Sequence, residues 1–185
     1  RFQAFINGEV IPLEPLLESG GEAAAKAMAG LKARAKELGL WALGHPTEIG
    51  GGGLPFMDFV YMNEVIGRCY YGQQAVGSIS MQDSIMLHRY GSETQKERWL
   101  RPLVDGNIYP SVGLTEPEVA GSDPTLMRTS AVLDGDEWVI NGHKVWTSLA
   151  HFAEWMIILL RTDRSHKYDG LSYFVVPIRT ALSKG

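Results

Sequence analysis

The stretch Gly113-Leu114-Thr115-Glu116-Pro117-Glu118-Val119-Ala120-Gly121-Ser122-Asp123 gathers hydroxyls, carboxylates, a proline and two glycines directly after a short apolar run. Such a loop is built to hold a polar ligand. Gly113 and Gly121 let backbone approach a bound group, Pro117 stiffens the turn, and Thr115 and Ser122 offer donors without adding charge. Further along, Lys144-Val145-Trp146-Thr147-Ser148 sets an indole beside two more hydroxyls. Trp146 alternates with Lys144 and Ser148, so in an isolated hairpin the indole could simply cap a core. With the loop as its neighbour, it could equally supply the flat wall of a binding site.

Other chemistries find less support. Gly50-Gly51-Gly52-Gly53 lacks the Lys-Ser/Thr of a phosphate loop and follows no apolar strand, so it reads as a flexible connection. No G-x-G-x-x-G follows a strand, which argues against a Rossmann site. His45, His88, His143, His151 and His166 are scattered without metal-ligand spacing, so no metal is expected. Ser122, Asp123 and His143 could be drawn as a hydrolytic triad, but Ser122 sits on no G-x-S-x-G elbow. Cys69 is the single cysteine, which rules out an intrachain disulfide, fits a reducing compartment, and reads as a small buried hydrophobe. The 17 basic and 21 acidic residues give a net charge of -4, with no basic cluster to track nucleic acid. The longest apolar run, Trp155 to Leu160, falls far short of the roughly 18 residues that suggest a membrane span.

The elements that must position these residues change character midway. From Gly21 to about Gly106 the period is helical. Ala24, Met28, Leu31, Ala35 and Leu38 mark one amphipathic helix ending near Gly39, with further helices over 57–70 and 79–90. Ser92 and Gln95 have capping-box spacing for another helix through Leu103, which Pro102 should shorten or kink. Past Gly106 the period falls to two, and strands are expected over 109–115, 127–133, 137–140, 143–147, 155–161 and 171–177. Asp134-Gly135 and Asn141-Gly142 read as tight type I′ turns, making 127–147 a three-stranded antiparallel meander. Helices followed by strands imply two domains, 1–108 all-α and 109–185 all-β. The chain opens at Arg1 without methionine and closes at Ser183-Lys184-Gly185 after a strand in need of a partner, and is read as a piece of a longer protein.

The Thr115-Glu116-Pro117 loop running into Ala120-Gly121-Ser122-Asp123, followed by Trp146-Thr147-Ser148, resembles the flavin-binding core of the acyl-CoA dehydrogenases. The segments Trp41 to Glu48 and Tyr90 to Lys96 are similar to that family's helical half. The resemblance implies an all-α N-terminal domain, an antiparallel β-barrel domain that is incomplete here, and a C-terminal helical domain that is missing. It implies FAD as cofactor, with Val112, Leu114 and Thr115 along the ring and Thr115 bonding its pyrimidine edge. Gly121 and Ser122 would meet the pyrophosphate side, and Ser122 would also lie beside the acyl-CoA thioester arm. Trp146 would flank the ring with Thr147, and Ser148, where threonine is more usual, would bond near N5. The implied activity is α,β-dehydrogenation of an acyl-CoA, as in fatty-acid oxidation, with the catalytic glutamate in the missing domain, so that the fragment alone is inactive. Glu116 is read as stabilising the loop, not as the base. Electron-transfer flavoprotein would be the electron acceptor and the full-length protein a homodimer or homotetramer. An oxidase or monooxygenase on the same scaffold, and a noncatalytic binding or assembly module, remain as alternatives.

Overall fold

The computed structural model describes residues 1–178. The chain divides between Ile108 and Tyr109 into two compact units. The closing residues 183–185 lie outside the described residues, while the strand expected before them is described.

The helical unit begins earlier than its periodicity suggests. Phe2–Phe5, a π-turn at Ile6–Val10, a 3₁₀ turn at Ile11–Leu13 and Glu14–Ser19 form one winding helical path. Pro12 and Pro15 withhold backbone donors there, so the path changes pitch and the apolar spacing never settles to 3.6. The Gly21–Glu37 helix buries Ala24, Met28, Leu31 and Ala35 of the expected stripe and ends just before its last member, the half-buried Leu38. The next helix spans Phe56–Ile66 and gives way to turns at Gly67, short of Tyr70, and another spans Met81–Tyr90. Ser92 and Gln95 form the capping box, with Gln95 N–H donating to Ser92 Oγ at 3.3 Å and Ser92 N–H to Gln95 Oε1 at 2.8 Å. Pro102 cannot donate to the carbonyl one turn back, and the helix widens to a π-turn over Lys96–Leu100 before Arg101–Val104.

The core of this unit is apolar, from Phe5, Ile6 and Val10 through Met28 and Leu31 to Phe59, Ile66 and Val76. Cys69 is buried beside it, its thiol pushed up to about 11 by burial and by Glu14. Trp41 is the wedge. Its Nε1 donates to Val104 O at 2.9 Å, while Lys32 and Lys36 donate to the Gly106 and Asp105 carbonyls at 2.7 and 2.8 Å. The last carbonyls of the Arg101–Val104 turn and the residues after it are therefore satisfied from outside the helix, as helix ends require. Gly77 lies against the same indole, where a Cβ would come within 2.6 Å of the ring.

In the sheet unit the strands are β1 (Pro110–Gly113), β2 (Ser130–Asp134), β3 (Glu137–Asn141), β4 (Trp155–Arg161) and β5 (Leu171–Pro177). β4 is central and reads as a continuous apolar run. It pairs in parallel with β1 and, through Ser130 and Arg161, with β2, and antiparallel with β5 along its whole length. β2 and β3 form an antiparallel hairpin. Among the described residues the sheet is open, and two of its pairings are parallel.

Three sequence expectations fail here, among them the type I′ turn at Asn141-Gly142, since Asn141 has no positive φ. The β2–β3 loop is Gly135-Asp136, between the paired Asp134 and Glu137, with positive φ only at Gly135, 60°; this is the pattern of a type II′ turn and not of type I′. The strand expected over 143–147 does not form, so there is no third member of the meander. Gly142 has φ 150° and is needed for close approach, since a Cβ would fall 2.4 Å from Thr129 Oγ1. The chain after it then runs alongside the loop that follows β1 and gives up a place next to β3.

Candidate functional site

β1 alternates as expected of a strand with one face inside: Ser111 and Gly113 are buried, while Val112 and then Leu114 face outward at 36% and 37% exposure. The loop that follows is held from beneath by Glu116. Its carboxylate is buried and accepts from the backbone N–H groups of Arg128 and Thr129, each at 2.8 Å, and from Lys144 Nζ at 2.9 Å. Lys144 Nζ also donates to Leu114 O at 3.0 Å. Burial would raise the Glu116 pKa, but the bonds from Thr129, the Arg128 backbone and Lys144 outweigh it and hold the group at about 2. A carboxylate so stabilised as an anion is a poor proton acceptor. It is a bracket for the loop.

The same bracket delivers the second segment. Val145 N–H donates to Thr115 O at 2.9 Å, and Ser111 Oγ donates to Ser148 O at 2.7 Å. Residues 111–116 and 144–148 therefore lie side by side, and Thr115 and Trp146 belong to adjoining segments. Gly121 returns to this edge, where a Cβ would stand 3.3 Å from Thr115 Oγ1. Ser122 and Ser148 are exposed and Thr147 half-buried. Thus Val112, Leu114, Thr115, Gly121, Trp146, Thr147 and Ser148 gather along one edge of the unit, with Ser122 next to Gly121.

Two residues here carry a backbone conformation that L side chains avoid. Trp146 has φ 54° and Leu149 φ 62°. Each costs of the order of 1–3 kcal/mol unless surroundings impose it. Trp146 is nevertheless 89% exposed, so burial of its own indole does not repay that cost. A large apolar ring held outward on strained backbone, in the segment adjoining the exposed Val112 and Leu114, fits a flat, partly apolar ligand. The edge also offers the Thr115 and Ser148 hydroxyls as donors, so the residues present are suited to a flavin ring.

Beside Glu116 and Pro117 lies a cleft of about 210 Å³ lined also by Glu118, Val119, Arg128, Thr129, Gly142 and His143. Arg128 and Glu118 form an exposed ion pair at its rim. Asp123 is engaged by Thr125, whose N–H and hydroxyl both donate to it, and this holds its carboxyl below the usual range. The bracket residues Arg128, Thr129 and Lys144 were not singled out by sequence as a unit. The available signal was one lysine set among apolar and hydroxyl residues, in a segment facing a loop with a non-terminal glutamate.

Against known proteins, residues 1–107 match the family model described as acyl-CoA dehydrogenase, N-terminal domain, and residues 111–184 that of the middle domain. The chain belongs to the acyl-CoA dehydrogenase family. Within it, the acyl-CoA dehydrogenase IpdE1 of Mycobacterium tuberculosis is 39% identical over 153 residues, 78% of this chain and 38% of the relative. A solved Mycobacterium abscessus protein assigned to the acyl-CoA dehydrogenases superposes with TM-score 0.84 at 35% identity, over 96% of this chain and 48% of that one. A glutaryl-CoA dehydrogenase from Mycobacterium smegmatis, solved in complex with FADH2, superposes with TM-score 0.68 at 26% identity, over 95% and 43%. The chain thus spans less than half the length of these relatives.

Proposed function

We propose that this chain is the helical and flavin-holding portion of an enzyme that dehydrogenates an acyl-CoA thioester to the trans-2-enoyl-CoA. The observation that carries the reading is the joined edge of 111–116 and 144–148, which puts the exposed Trp146 in the segment adjoining Val112, Leu114 and Thr115. Val112, Leu114, Thr115, Trp146, Thr147 and Ser148 would hold the isoalloxazine of FAD. Gly121 and Ser122 would meet its pyrophosphate side, and Ser122 also the thioester arm of the substrate. When bound, FAD supplies the hydride acceptor for the desaturation.

This chain's residues bind and orient in that scheme and do not take the α-proton. Glu116, with a pKa of about 2 and an ion pair to Lys144, stays ionised and occupied. The base is assigned to the C-terminal domain characteristic of the family, and the fragment alone is inactive. Electron-transfer flavoprotein is the proposed electron acceptor, and the full-length protein a homo-oligomer. The test is the full-length protein, purified and titrated anaerobically with acyl-CoA thioesters. A flavin spectrum bleached by substrate, with little peroxide formed in air, supports the reading; a colourless protein that takes up no added FAD sinks it, and stoichiometric peroxide turns it toward an oxidase.

A further inference from the structure

Arg161, at the C-terminal end of β4, is only 6% exposed, yet no carboxylate among the described residues lies within ion-pair distance of it. A buried guanidinium is ordinarily paired with an anion. Among the described residues the hydrogen bonds of this one go to carbonyl oxygens, with Asp163 felt only through its charge. One arm, Nη1, donates to His166 O and Lys167 O at 3.4 and 3.2 Å; the other, Nη2, donates to Thr125 O at 2.5 Å. The backbone N–H of the same residue donates to Thr129 O at 2.9 Å. Arg161 therefore fixes both ends of the stretch from Thr125 to Thr129.

From Thr125 the restraint passes toward the site. Thr125 N–H donates to Asp123 Oδ1 at 3.1 Å, and Asp123 N–H donates to Ala120 O at 3.1 Å. That last bond closes a turn whose two central residues are the exposed Gly121 and Ser122. We propose that Arg161 is a positioning residue for the Gly121–Ser122 turn, acting through Thr125 and Asp123 to hold its backbone ready for the pyrophosphate side of the cofactor. The assignment rests on the flavin reading above. A planar, forked cation is suited to the task because its two arms bind carbonyls of two separate loops at once, which a lysine cannot do.

The test is Arg161→Lys, which keeps the charge and loses the fork, read in two ways. In the purified protein, hydrogen exchange at the Asp123 amide should rise about tenfold while the Ile157 amide, inside β4, exchanges as before; general loosening would raise both. In the full-length enzyme the Kd for FAD should rise about tenfold, with kcat at saturating FAD within about twofold of wild type. Wild-type exchange at Asp123, or a rise shared by Ile157, overturns the proposal. Faster exchange at Asp123 with unchanged FAD affinity upholds the anchor and sinks the cofactor role of the turn. Should Arg161→Lys fail to fold, Asp123→Ala removes the carboxylate that Thr125 donates to and so cuts the relay between Thr125 and the turn. It should show the same weakening of FAD binding, and wild-type affinity there overturns the proposal.

Discussion

In the helical unit the irregular stretch after the Gly21–Glu37 helix is held by apolar packing around the Trp41 indole, whereas in the sheet unit the stretch after Gly142 is held by a buried ion pair. The first arrangement has no ion pair to lose, although the fully buried His45, its pKa lowered to about 4 by burial, must stay neutral there, so that stretch weakens as pH falls below 6.5. The second depends on the charge of Glu116 and on the reach of Lys144 across the loop. The lesson is that this chain stabilises its scaffold with surface burial and its candidate site with polar bonds, which fix position but bring sensitivity to protonation. The same site also places a non-glycine residue, Trp146, in left-handed backbone, which the helical unit does only at the fully buried Ala42.

Perturbing either side should leave the other intact. The largest effect is expected from Lys144→Met, which leaves the Glu116 carboxylate buried without its cation and should cost about 3–5 kcal/mol in urea unfolding of the sheet unit. Exchange protection in the Gly21–Glu37 helix should be unaffected; if it falls in parallel, the two units are not separately held. Next is acid. Because the folded Glu116 pKa, about 2, lies below its ordinary value of 4.5, its contribution is fully present above pH 4.5 and is lost as pH falls toward 2. With a side chain only 5% exposed, that contribution should be about 3 kcal/mol. Glu116→Gln should be less stable at neutral pH and flatter across this window; an unchanged acid profile would remove Glu116 from its bracketing role.

Gly77→Ala strikes the apolar side of the comparison. Its φ of 69° and the Trp41 ring 2.6 Å from the added carbon should together cost about 2 kcal/mol, without pH dependence and without loss of flavin affinity. The smallest stability change is expected at Trp146→Gly. Relief of left-handed strain offsets the greater freedom of the unfolded glycine, so stability should stay within about 1 kcal/mol of wild type. Flavin affinity of the full-length protein should nevertheless fall sharply. If affinity holds, the exposed indole has another purpose.

How much of this could be read from sequence follows the same divide. The Ala24, Met28, Leu31 and Ala35 stripe, the Ser92–Gln95 capping box and the runs that became β4 and β5 were legible because each is a local pattern set by its own period. Phe2–Ser19 was hidden by two prolines that change helix type, and no fixed spacing describes such a path. The 143–147 segment has the composition of a strand, but the glycine that precedes it, Gly142, serves contact with Thr129, a residue distant in the chain. Both halves of the candidate site were visible as motifs. Their meeting was expected only through the family resemblance, and the bonds that achieve it were not legible, because the Glu116 bracket and the Arg161 anchor join residues far apart in sequence, through groups whose partners are mostly backbone.

The outward Trp146 also gives the molecule an optical reporter. Of the five tryptophans it is the most open to water, while Trp155 is sealed within the sheet at 2% exposure. Its emission should therefore lie at the long-wavelength end of the protein's fluorescence and be the component most readily quenched by iodide. Anything that settles on that edge of the sheet would shield it, shifting the light toward the blue or extinguishing it by energy transfer.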